Sequence, residues 1–63
     1  MNAFNIKYGT ETSEWLATMN DVQNESNKLE GLGIVEITIN QFKNSVLVKR
    51  LNYSYNGQSW ERV

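Results

Sequence analysis

The side chains that most often carry catalysis at neutral pH are absent from this chain, which has no histidine and no cysteine. Proton relay through imidazole, attack by a thiolate, disulfide cross-linking and the usual zinc ligation therefore lie outside its chemistry. Carboxylates, amines, guanidinium groups and phenols remain. Glu11 with Glu14, and Asp21 with Glu25, stand at spacings that bring two carboxylates onto one helix face. Such a pair trades protons only when apolar surroundings or a close charge push its two pKa values apart. No apolar run accompanies these four, so a solvated helix face is the reading they support. They also lack the loop spacing of oxygen ligands for calcium or magnesium, and no phosphate-cradling glycine loop or nucleophile elbow occurs. The expectation is a protein that is not an enzyme and takes neither a metal nor a cofactor.

The C-terminal half holds the more informative set. Arg50, Tyr53, Tyr55, Trp60 and Arg62 combine large rings with fixed positive charge, the residue types enriched where macromolecules meet. These five are the candidate partner-binding residues. Two other chemistries draw on the same inventory. Rings beside guanidinium groups can stack the bases of a single strand, giving a nucleic-acid-binding module on the C-terminal hairpin. Lys49, Arg50, Tyr53, Tyr55 and Arg62 are also the groups from which a histidine-free ribonuclease would be built. The net charge of −1 weighs against both, since nucleic-acid binders carry a clear excess of base. An acidic line along the helix, Glu14, Asp21 and Glu25, offers the opposite surface, one that meets a basic protein or imitates a phosphate backbone.

These residues need elements to position them. Phe4, Ile6 and Tyr8 alternate with Asn5 and Lys7, the period of a half-buried strand. Gly9 interrupts the run, and the stretch Thr10–Glu14 offers helix N-caps and early acidic residues. From about residue 12 to residue 30 the pattern is helical, with Trp15, Met19, Val22, Ser26 and Leu29 on one stripe. Gly31 is placed to end the helix in the left-handed conformation. Ile34–Ile39 is β-branched and alternating, with Val35, Ile37 and Ile39 toward the core. A turn near Lys43-Asn44 leads into a strand from Val46 to Tyr55, whose apolar phase shifts: either the strand is covered on both faces early, or a bulge near Lys49-Arg50 switches the register. Asn56-Gly57 reads as a two-residue type I′ hairpin placing Tyr53 opposite Trp60. The last strand, Gln58–Val63, is an edge.

The fold class is therefore α+β: one domain over residues 1–63 in the order β-α-β-β-β, with one amphipathic helix packed on a small, mainly antiparallel sheet. At 63 residues the chain buries only about 60% of its unfolded surface, so its core is narrow. No stretch approaches the ~20 apolar residues that span a bilayer, and the N-terminus lacks a signal-peptide pattern; no membrane and a cytoplasmic location are expected. Asparagine is frequent, a bias that an AT-rich bacterial or phage genome would produce, and a phage or mobile-element accessory protein is the expected kind of product. The functional expectation is a small binding or regulatory protein, such as an inhibitor, that acts on a protein partner. One helix covers only one face of a sheet, and Val46-Leu47-Val48 carries apolar residues toward both faces, which also makes a homodimer an expectation.

Overall fold

The computed structural model describes residues 2–63. Strand β1 (Asn2–Tyr8) is followed by a short β2 (Glu11–Thr12), helix α1 (Met19–Gly31), and strands β3 (Glu36–Lys43), β4 (Val46–Tyr55) and β5 (Trp60–Arg62). The strands form one antiparallel sheet in the order β2-β1-β3-β4-β5, with α1 on one face. The expected α+β class is observed, with β2 as an addition to the expected order. Phe4 and Ile6 of β1, Val22 and Leu29 of α1, and Ile37 and Ile39 of β3 make the buried core.

The helix begins at Met19, not near residue 12, and the reason is the edge of β1. A strand needs partners for its backbone amides and carbonyls, and residues 11–16 supply them. Beyond the β2 pairing, Ser13 donates its N–H to the Ile6 carbonyl at 2.8 Å, while Phe4 and Leu16 exchange N–H···O bonds of 2.8 and 2.7 Å. The Ser13 hydroxyl accepts the Ile6 N–H at 2.8 Å. This pairing sends Leu16 into the core and turns Trp15 the other way, 62% exposed, with its ring edge-on to Phe42 at 5.1 Å. Trp15 is thus not part of the helix stripe. Thr18 caps α1 by accepting the Asp21 N–H, and Val22, Ser26 and Leu29 form its buried stripe. The buried Ser26 hydroxyl donates to the Val22 carbonyl at 2.8 Å and so has its own partner.

Gly33, not Gly31, takes the left-handed conformation, at φ 90°. Ile34 N–H bonds to the Leu29 carbonyl and Gly33 N–H to the Glu30 carbonyl, the paired bonds of a Schellman ending. That ending brings Ile34 against the core beside Leu29. Val35, expected inward, is left exposed past the end of the helix.

The two turn geometries are exchanged relative to the sequence reading. The two-residue loop with positive φ at both positions is Asn44-Ser45 (φ 51° and 68°), closed by Lys43 opposite Val46. The Asn56–Ser59 loop has four residues and closes on Tyr55 opposite Trp60. Asn56 causes this: its side-chain oxygen accepts the N–H groups of both Gln58 and Ser59, at 2.8 and 2.9 Å. Trp60 consequently faces Tyr55, and Tyr53 faces Arg62. A slip of two residues keeps every side chain on its face.

The bulge expected in β4 is present. Lys49 opposes Gln41 but Leu47 opposes Phe42, so Val48 has no counterpart in β3. Leu51, Tyr53 and Tyr55 therefore lie on the helix side, while Leu47 joins Phe42 on the other.

A serine in the left-handed region is strained by about 1–2 kcal/mol relative to glycine. Ser45→Gly gives the β3–β4 turn the residue it prefers and is expected to raise stability by roughly 0.5–1 kcal/mol after the entropy cost of glycine. A urea-unfolding midpoint that stays put or falls contradicts this turn geometry.

Candidate functional site

Strand alternation assigns each candidate residue to a face. Tyr53, Tyr55, Trp60 and Arg62 share the helix side through the β4–β5 register, whereas Arg50 opposes Asn40 and points to the other. The structure brings together four of the five expected binding residues and separates Arg50 from them. The three rings of the stacking-platform reading lie on one face with Arg62, and Arg50 is not beside them.

On the helix side, α1 lies over β1 and β3 and leaves β4 and β5 uncovered. The result is a groove of about 420 Å³. Met19, Val22, Gln23 and Ser26 of the helix form one wall, and Ile37, Ile39, Tyr53 and Trp60 the floor. Met19, at the rim, is 54% exposed. Trp60 packs its ring against Tyr55 at 5.2 Å with planes inclined at 66°, a favourable edge-to-face arrangement. Its indole Nε1–H is buried without a hydrogen-bond partner. Of this groove, sequence reasoning named Tyr53 and Trp60 but placed Met19 in the core stripe. It did not single out Gln23, which carries no aromatic or charged signal.

Charge is arranged around the groove. Between Glu36 and Glu61 the sequence has no carboxylate, while Lys43, Lys49 and Arg50 fall in that interval. Lys49 (opposite Gln41, which faces Phe4 of the core) and Arg62 (opposite Tyr53) lie on the groove side, both exposed. Glu36 and Glu61, on either side of Ser54, lie on the opposite face. Helical geometry puts Gln23 and Asn27 on the flank of Met19, with Glu30 at its far end, and sends Asp21 and Glu25 to the other flank.

The opposite sheet face is mostly polar and partly cross-linked by its own side chains, although the Asn40 side-chain oxygen is buried without a partner. Asn40 donates to Asn5 at 3.0 Å and Thr38 to Asn52 at 2.9 Å, each bond crossing strands. The face forms a shallow depression that also includes Lys7 and Arg50. One corner is apolar, where Ala3, Trp15 and Phe42 meet. Val46, Leu47 and Val48 follow as three successive exposed apolar residues. The acidic residues Glu11, Glu14, Asp21 and Glu25 do not converge on a pocket, and among the described residues no group of three carboxylates could hold a metal ion. No described helix is long and apolar enough to cross a membrane.

No protein-family model matches the chain, and neither a curated protein nor a solved structure shows significant similarity to it.

An unpaired buried N–H costs about 1–3 kcal/mol. Trp60→Phe removes that group while keeping a ring against Tyr55, so its loss of stability is expected to stay within about 1 kcal/mol. Trp60→Ala, which removes the packing as well, is expected to cost about 2–3 kcal/mol at this half-buried position. A Trp60→Phe loss well above 1 kcal/mol in urea denaturation would contradict an indole N–H without a partner.

Proposed function

We propose that this chain is a binding protein that engages another protein through the groove between α1 and strands β4–β5. One observation carries the reading: a five-stranded sheet is covered by a single 13-residue helix, and the uncovered half is floored by Tyr53 and Trp60 beside exposed Met19. Aromatic and methionine side chains in a partly desolvated depression, ringed by polar groups, are the residue types on which interfaces concentrate their energy. The rim supports a partner distinct from the chain itself. A symmetric pairing of two β3–β4 hairpins would bring together two hairpin ends that each carry Lys43, Lys49 and Arg50 and no carboxylate, where like charges repel.

Met19→Glu and Arg62→Glu both alter exposed positions, so the fold is expected to persist. In affinity capture from a lysate of the native host, a partner retained by the wild-type chain should be lost by the double variant and kept by Trp15→Ala. Retention by the groove variant, or loss on Trp15→Ala alone, would move the binding surface to the Trp15–Phe42 corner.

A further inference from the structure

We infer that the groove receives an amphipathic α-helix of the partner, with an apolar stripe on its inner face and carboxylates along the flank nearest β5. The inference rests on the groove being the binding surface and names what fills it. Three observations lead to it.

The first is width. Neighbouring strands lie about 4.8 Å apart and a helix with its side chains is about 10 Å across. The helix α1 therefore occupies about two strands' width, and the part of the sheet left free toward β4 and β5 matches one more helix. Along α1 the wall runs from Met19 to Ser26, about two turns at 1.5 Å per residue. An occupant fitting that length presents apolar residues at i, i+3 or i+4, and i+7.

The second is backbone hydrogen bonding. The floor is a sheet face, whose amides and carbonyls are turned sideways into the β3–β4 and β4–β5 ladders. An extended peptide laid there would leave its own backbone groups without partners away from water. A helix satisfies its backbone internally and brings side chains alone to the floor, as α1 does beside it.

The third is charge. Lys49 and Arg62 stand on the groove face of β4 and β5, with no carboxylate between Glu36 and Glu61. Met19, Gln23 and Asn27 make the α1 wall neutral over most of its length, and Glu30 comes only at its far end. Carboxylates on the occupant's β5 side would meet the two cations, while lysines there would meet like charge.

The test uses the full chain labelled with ¹⁵N and two synthetic helical peptides that share one leucine stripe, one flanked by glutamates and the other by lysines. The glutamate peptide should give saturable shifts at the amides of Met19, Gln23 and Tyr53 and at the Trp60 indole N–H. It should bind at least tenfold more tightly than the lysine peptide, and Lys49→Glu with Arg62→Glu should erase that preference. Equal affinity for both peptides, no saturable binding, or shifts gathered at Trp15 and Phe42 would overturn the inference. So would a chain that is already dimeric through the groove, seen as a doubled rotational correlation time in the same samples. The two levels separate cleanly. If Met19→Glu with Arg62→Glu abolishes capture of the native partner but the glutamate peptide does not bind, the groove stands and its acidic helical occupant falls. If that variant leaves capture intact, the groove itself falls.

Discussion

A sheet of five strands is roughly twice as wide as the helix laid on it, and the described residues hold one helix with which to cover it. That mismatch governs the rest of the molecule. The buried stripe of α1 is three residues, Val22, Ser26 and Leu29. It closes over β1 and β3, where Ile6 and Val22 are almost wholly removed from water. Burial of a valine- or isoleucine-sized side chain is worth about 1.5–3 kcal/mol, so every member of this six-residue core matters to a domain so small. The same placement leaves Tyr53 and Trp60 only half covered, and their packing against the core that holds Ile37 and Ile39 creates the groove floor.

The opposite face meets the same constraint without a covering layer. Most of its residues are polar, and bonds such as Asn40 to Asn5 and Thr38 to Asn52 tie neighbouring strands together. A face of this kind tolerates water. The bulge at Val48 marks the limit of that arrangement: beyond it Leu47 joins Phe42 and Trp15, and the end of the β3–β4 hairpin is apolar and basic at once. The two faces thus carry different surfaces, and only the helix side combines an apolar floor with a wall.

How much of this was legible in the sequence follows from whether a signal was local. The β-branched alternation of Ile37 and Ile39, the spacing of Val22, Ser26 and Leu29, and the phase break in β4 all report short-range geometry, and all were read correctly. Trp15 was misread because it falls at helical spacing from Met19, while the competing demand came from β1, an edge whose backbone needed residues 11–16. No pattern inside residues 11–18 announces that demand. The turns were confused for a similar reason. Asn56-Gly57 has the composition of a type I′ hairpin, but the Asn56 side chain captures two amides and lengthens the loop, whereas Asn44-Ser45 adopts that geometry despite the strain at Ser45. The candidate site was half legible: Tyr53, Tyr55, Trp60 and Arg62 do share a face, and Arg50 is separated from them by strand parity.

The free chain leaves about half of the helix-side sheet face without a helix over it. Solvent paramagnetic relaxation, measured on side-chain protons with a small soluble radical, tests it most directly. The Met19 methyl should be broadened nearly as strongly as exposed Trp15 and the half-covered rings of Tyr53 and Trp60 to an intermediate degree, while the methyls of Ile6, Val22 and Leu29 remain sharp. Protection of Met19, Tyr53 and Trp60 equal to that of Ile6 would contradict the account, since it would mean that the groove is already filled.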